Sequence, residues 1–311
     1  MSATTATHRP KAKQRPGDRI FSGLTRAAGL VILVALAGVA IFLTVEGAPA
    51  FSAPSDKLGG AANLLSYVAP LVFGTLLAAV LALLIATPLS LGVALVISHY
   101  APRRLARLIG YLVDLLAAVP SIVYGLWGLA FLSVHLTPIY AWLEAHLGFI
   151  PLFAGPASAT GRTILTASIV LAIMVLPIIT AISREIFVQT PRLNQEAALA
   201  LGATRWEMIR LAVLPYARSG IVSAVMLGLG RALGETMAVA TVLSASGVVT
   251  FNLISNTNPS TIAANIALKF PDSTGLAVNA LVASGLVLFV ITFVVNFAAR
   301  AIVNRSEVGR A

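Results

Sequence analysis

Residues 71–97 read LVFGTLLAAVLALLIATPLSLGVALVI, 27 consecutive positions without a single charge. An α-helix rises about 1.5 Å per residue, and about 20 mostly apolar residues cross about 30 Å of hydrocarbon. The stretch therefore reads as one membrane-spanning helix, and the missing period-two alternation excludes a barrel strand. Working outward, five more stretches meet the same test: 24–45, 109–132, 163–182, 221–243 and 276–303. The intervals between them hold turn formers and charges. The fold class that follows is all-α, a polytopic membrane protein with six transmembrane helices. Composition agrees, because 58% of the 311 residues are hydrophobic and 10% are charged, against about 25% charged in a typical soluble domain.

The 21 Lys and Arg residues sort by side. Arg9, Lys11, Lys13, Arg15, Arg19 and Arg26, then Arg103, Arg104 and Arg107, then Arg184, Arg192, Arg205, Arg210 and Arg218, then Arg300, Arg305 and Arg310 fall on one side. The other side has only Lys57, Arg162 and Lys269. The rule that cytoplasmic loops carry the excess positive charge puts both termini in the cytoplasm. This alternation also argues against nucleic acid, which a basic module would bind with its charge gathered in one place. The first span is too long, and too poorly followed by a cleavage site, for a removed signal peptide. Cysteine chemistry is excluded, since the chain has none. His8, His99, His135 and His146 have no ligand-like grouping, so no metal site is expected. His135, Tyr140, Trp142 and His146 read as an extracytoplasmic amphipathic stretch, at the interface or touching a delivering protein. Asp114 reads as a solvated helix-end carboxylate. Pro88, Pro120 and Pro177 fall inside spans and ask neighbours to offset a missing amide donor.

Arg231 lies ten residues into the span 221–243, about 15 Å deep. A guanidinium there persists only if paired or facing water. Glu235, at i+4 on the same face of a continuous helix, is the expected partner. One reading is a helix-locking ion pair. The other is a pathway group: Arg231 supplies a planar multi-donor cation for a small oxyanion, and Glu235 orients it until the anion competes.

The cytoplasmic segment 184–218 is also patterned. Asn194-Gln-Glu-Ala-Ala-Leu-Ala-Leu-Gly202 runs into Ala203-Thr-Arg-Trp-Glu-Met-Ile-Arg-Leu-Ala-Val-Leu-Pro215, which implies two short helices joined near Gly202. Asn194 can cap the first. Small Ala197 and Ala198 permit close approach of another backbone, while Trp206, Ile209, Leu211 and Val213 offer apolar surface that needs covering. An amphipathic helix lying on lipid is the alternative. No lysine follows a glycine, so a Walker A phosphate loop is absent and the chain is not itself an ATPase.

Glu196-Ala197-Ala198, Gly202 and Leu214-Pro215 together resemble the EAA loop of permease subunits in type I ABC importers; Ala212 departs from it, where a larger aliphatic residue is usual. Val119-Pro-Ser-Ile-Val-Tyr-Gly-Leu-Trp-Gly128, Gly230-Arg-Ala-Leu-Gly-Glu-Thr-Met-Ala-Val239 and Gly17-Asp-Arg-Ile-Phe21 resemble the phosphate importer permeases of bacteria, of the PstC rather than the PstA type. The resemblance implies a permease for inorganic phosphate in the bacterial inner membrane. It pairs with a PstA-type second permease, rides on two copies of a cytoplasmic ABC ATPase that uses ATP and Mg, and is fed by an extracytoplasmic phosphate-binding protein. No cofactor is expected on this chain. The resemblance also implies a substrate pathway of Arg231, Glu235, Thr236 and Ser121 and an ATPase-coupling set of Glu196, Ala197, Ala198, Gly202 and Pro215. The chain divides accordingly into a basic tail (1–23), a first span with its outer loop (24–67), the permease membrane domain (68–303) and a second tail (304–311). Sulfate or molybdate permeases are the nearest rivals. A secondary transporter would need more deep carboxylates than Glu235, and a membrane scaffold would not need Arg231.

Overall fold

The computed structural model describes residues 16–308; Arg9, Lys11, Lys13, Arg15 and Arg310, and the side chains of Lys57 and Arg305, lie outside what it describes. Among the described residues, six helical stretches are long and apolar enough to cross a membrane: Gly17–Ser52, Leu64–Tyr100, Ser121–Leu147, Ile164–Val188, Arg205–Leu233 and Leu276–Ala301. The six expected spans are therefore present, with two of them redrawn.

The chain divides at Val45/Glu46. The first unit holds most of α1 (Pro16–Gly47), whose Leu30, Val31, Ile32, Leu33 and Val34 are exposed, as lipid-facing residues are. The second unit carries everything that follows. Its centre is the pair α2 (Leu64–Leu95) and α6 (Ile164–Val188). Ala78, Ala79, Ala82 and Ala86 of α2 are buried together with Val170, Leu171, Met174, Val175 and Ile179 of α6. Small residues on one helix let two backbones approach closely, which is how helices associate where lipid removes the hydrophobic drive. Pro88 and Pro177 sit inside these helices. Near them, Ser90 Oγ donates to Leu176 O at 3.1 Å, and Thr180 Oγ1 donates to Ser90 O at 3.4 Å.

The third span differs from expectation. Residues 103–117 form a separate amphipathic helix, α3 (Arg103–Ala117), and the chain restarts at Pro120, which stands as N-cap of α4 (Ser121–Trp127). Proline has no amide to donate and biases Val119 away from the helical region, so the continuous helix expected over 109–132 is broken there. Beyond α4, a π turn at Gly128–Leu132 leads into α5 (Ser133–Leu147). His135, Tyr140, Trp142 and His146 therefore belong to the third spanning helix. Tyr140 is 1% exposed and its hydroxyl lies 2.6 Å from Thr166 Oγ1, a packed, hydrogen-bonded position, whereas His135, Trp142 and His146 stay on the exposed face of the helix.

The fifth span is also redrawn. Its helix begins at α8 (Arg205–Met208), passes a π turn at Ile209–Val213 and continues as α9 (Leu214–Leu233). The second short helix of segment 184–218 is thus continuous with the span, and the expected helix over 221–243 ends at Leu233. A separate α10 (Met237–Val242) follows. It packs on α4 so closely that a Cβ on Gly125 would fall 2.8 Å from Ala238 Cα and 2.3 Å from Thr241 Oγ1. The two stretches singled out by sequence, around Gly125 and Glu235, therefore meet in space. Finally, α11 (Ile262–Lys269) and α12 (Leu276–Val308) complete the unit.

The loops on the side opposite segment 184–218 are held by Asn258, which is 0% exposed. Its Nδ2 donates to Arg162 O, Ser244 O and Ser255 O at 3.3, 3.1 and 2.9 Å, and its Oδ1 accepts from Ile164 N at 3.0 Å. One amide thereby satisfies backbone groups from two loops and a helix start.

Candidate functional site

α9 presents Val222, Ser223, Met226, Leu227, Gly230 and Arg231 along one face, spaced at helical intervals. α12 presents Asn296, Ala299 and Arg300, and α6 contributes Ile178. Between them lies an open cavity of about 600 Å³. Its lining holds two guanidiniums, an amide and a hydroxyl, and no carboxylate. Arg231 therefore faces a space between helices, with Tyr124 near enough to feel its charge. The Tyr124 hydroxyl itself donates to Leu116 O at 2.7 Å.

Glu235 is not the partner of Arg231. Gly234 ends α9, and the chain turns before Glu235, so the two side chains no longer lie one turn apart on a continuous helix. Glu235 is 8% exposed, and its Oε1 accepts the amide of Ala238 at 3.0 Å. No hydrogen bond or ion pair joins Arg231 to another described residue. A carboxylate at the start of a helix satisfies an orphan amide and favours the positive end of the dipole, and that local geometry wins over an ion pair. The expected competition between an anion and Glu235 for Arg231 is therefore corrected: Glu235 is engaged by the Ala238 amide, and among the described residues Arg231 has no ion-pair partner.

Thr236 is half-buried and its hydroxyl donates to Gly234 O at 3.2 Å, steadying the break. Ser121 is half-buried in the first turn of α4. Of the four expected pathway residues, the cavity takes in Arg231 alone and adds Ser223, Asn296 and Arg300. Sequence reasoning missed these three, because their meeting depends on how α9 and α12 pack; the only signal available was that Asn296 and Arg300 stand four apart on one helix.

The second site lies on segment 184–218. α7 (Arg192–Ala200) closes through Ala203 N to Ala198 O at 3.2 Å and Gly202 N to Leu199 O at 3.0 Å. Gly202 takes φ +85°, the left-handed conformation that this closure needs. Thr204 then caps α8: its Oγ1 accepts from Glu207 N at 3.3 Å, while Glu207 Oε2 accepts from Thr204 N at 2.7 Å. Pro191, rather than the expected Asn194, precedes α7, and Asn194 sits in the first turn. Ala197, Ala198, Gly202 and Pro215 all line one surface hollow of about 850 Å³ with Leu211 and Tyr216; Glu196 is exposed beside it. Ile209 and Val213 are fully buried with Ala94, Phe187, Met208 and Ala217, because positions four apart on this helix turn inward. Leu193, Leu199, Leu201, Trp206 and Leu211 are among the apolar residues left outside.

Residues 86–308 match the family model described as the inner membrane component of binding-protein-dependent transport systems. The chain belongs to that family. It is therefore a multi-pass inner-membrane transport subunit, a permease of ABC importers, and the redrawn spans above are those of a permease. Over 300 residues it is 47% identical to the phosphate transport system permease protein PstC 2 of Mycobacterium tuberculosis, covering 93% of this chain and 92% of that one. The PstC proteins of Mycobacterium leprae and Mesorhizobium japonicum are 43% and 41% identical, covering 92% and 93% of this chain and 92% and 91% of theirs. Among solved structures, a bacterial ABC transporter that imports the acidic polysaccharide alginate shares the fold at TM-score 0.58 and 18% identity, over 92% of this chain and 99% of that one. The inward-facing MetNI methionine transporter does so at TM-score 0.51 and 18% identity, over 77% of this chain and 94% of that one.

Proposed function

We propose that this permease forms, with a PstA-type second permease, the translocation pathway for inorganic phosphate, and that Arg231 is the group the anion meets at mid-membrane. The observation that carries the reading is a guanidinium in the last turn of α9, with no hydrogen bond or ion pair to another described residue, facing a cavity whose lining holds no carboxylate. A guanidinium within a membrane span persists where it faces a water-filled space or finds a partner, and a passing oxyanion supplies the counter-charge through paired hydrogen bonds. The relatives' printed names, at 40–47% identity, supply the substrate. The binding must stay moderate, since a pathway site has to release what it holds. Glu235 serves by shaping the break between α9 and α10; Thr236 steadies it, and Ser121 opens the helix packed against α10.

Both termini face the cytoplasm in this account, which follows the distribution of Lys and Arg. Segment 184–218 then faces two copies of a cytoplasmic ATPase, which use ATP and Mg, while this chain binds no cofactor. The small residues Ala197, Ala198 and Gly202 around the hollow, with Glu196 beside them, form the docking surface. Because α8 and α9 are one helix, a push there travels along 26 residues from Arg205 to Arg231, about 39 Å at 1.5 Å per residue. An extracytoplasmic phosphate-binding protein delivers the substrate from the other side. The test is uptake of labelled phosphate by cells lacking their own permease and expressing this chain, with sulfate and molybdate as competitors. Phosphate-selective uptake is expected; inhibition by sulfate as strong as by unlabelled phosphate contradicts the substrate.

A further inference from the structure

Arg300 enters the sequence as one of the cytoplasmic-side charges, yet the fold puts it in the cavity that also holds Arg231. We propose that Arg300 is a second contact for a tetrahedral phosphate oxyanion, on the cytoplasmic limb of the pathway, to which the anion passes from Arg231. The inference rests on the phosphate reading and the orientation given above.

The geometry is that of a short relay. α9 and α12 cross in opposite senses, α9 starting from segment 184–218 and α12 starting after the loops on the far side. Ser223 lies eight residues before Arg231, about 12 Å nearer the cytoplasm. Arg300 lies 24 residues into α12, about 36 Å from its start and near the inner end of a span of about 30 Å. Asn296 stands one turn deeper on the same face. The cavity thus runs from mid-membrane toward the inner surface with a cation at each end. Its uncharged donors, the Ser223 hydroxyl and the Asn296 amide, lie on the same two helices.

Two chemical facts favour a ligand over a resting ion pair. No carboxylate lines the cavity, and Arg300, like Arg231, makes no hydrogen bond or ion pair with another described residue. A guanidinium also offers a rigid donor fork suited to phosphate oxygens, where an ammonium offers a point charge. One tight site would trap the anion, whereas two moderate ones in series let it leave. The same chemistry fits a phospholipid headgroup at the inner leaflet, so the experiment separates the two sources.

The chain has no cysteine, so Arg300→Cys introduces one thiol on this subunit, assembled with cysteine-free partners. The complete importer is reconstituted in vesicles, and ATP-driven uptake of labelled phosphate is followed with saturating loaded binding protein. Uptake by Arg300→Cys is expected to fall about 10-fold to 100-fold, the size of a lost charge-assisted hydrogen bond. Aminoethyl methanethiosulfonate, which restores a positive charge, should recover it; the sulfonatoethyl reagent, which adds a negative one, should not. Arg300→Lys keeps the charge and should retain far more uptake than Arg300→Cys, which guards against a folding defect. Wild-type rates for Arg300→Cys, an equal response to both reagents, or a loss seen in anionic but not phosphatidylcholine vesicles would each overturn the proposal, the last in favour of a headgroup anchor. If the unsubstituted importer accumulates no phosphate, the phosphate reading fails and takes this inference with it; the other outcomes leave that reading standing.

Discussion

Replacing Glu235 by Gln and by Ala separates the two roles available to this carboxylate. In the structure Glu235 Oε1 accepts the Ala238 amide at 3.0 Å and the residue is 8% exposed. Gln keeps an acceptor in the same place and loses only the charge. A hydrogen bond to a charged group contributes about 1.5–3 kcal/mol and a neutral one about 0.5–1.5, so Glu235→Gln should cost about 1 kcal/mol. Ala removes the acceptor and leaves a buried amide unsatisfied, which costs about 2–3 kcal/mol by the loss of a cap and the orphaned donor. At about 2 °C per kcal/mol for a large domain, the melting midpoint of the purified chain in detergent should fall by about 2 °C for Gln and about 5 °C for Ala. An ion pair with Arg231 would behave differently, because either substitution would strand a guanidinium at a cost of about 3–5 kcal/mol. Equal and large losses for Gln and Ala would therefore refute the capping role and restore the pairing.

Three further outcomes follow from packing and loops. Gly125→Val should impair assembly or uptake, since even a Cβ would fall 2.8 Å from Ala238 Cα and overpacking costs about 1–3 kcal/mol; a variant with normal melting and uptake would show that α4 and α10 are not in tight contact. Asn258→Ala removes one acceptor and three donor contacts from a fully buried amide and should destabilise by more than about 3 kcal/mol, read as a lowered melting midpoint and faster proteolysis of the loops on that side. Gly202→Val forces a branched residue into φ +85°, a cost above about 1–2 kcal/mol; ATPase copies should co-purify less well with it, while Glu207→Gln, which keeps the cap acceptor, should bind them as the parent does.

The number of spans was legible because 27 uncharged residues in 71–97, and five other long, mostly apolar stretches, have no other solvent than lipid. What hydropathy could not see was where apolar runs are interrupted. Pro120 breaks one run into an amphipathic α3 and a span that starts later, and Gly234 with Glu235 breaks another. Both breaks sit inside runs that are mostly apolar on average, so a hydropathy window reads them as continuous. That the small residues of segment 184–218 gather on one surface was largely readable, since Ala197, Ala198, Gly202 and Pro215 meet at one hollow. The burial of Ile209 and Val213 follows from the helix phase, which a list of apolar residues ignores. Arg231 stood out as a charge in a span. Arg300 did not, because a positive residue near a helix end is fully explained by topology until a neighbouring helix is known. Asn258 carried no sequence signal, since its role depends on two loops brought together by the fold.

The central claim concerns Arg231 as the mid-membrane contact of the transported anion. Uptake of labelled phosphate by assembled importer carrying Arg231→Ala should fall by at least about 100-fold, the upper range for a lost charge-assisted contact, with the complex still co-purifying and still hydrolysing ATP. Uptake within about twofold of the parent, from a complex equally well assembled, would contradict it.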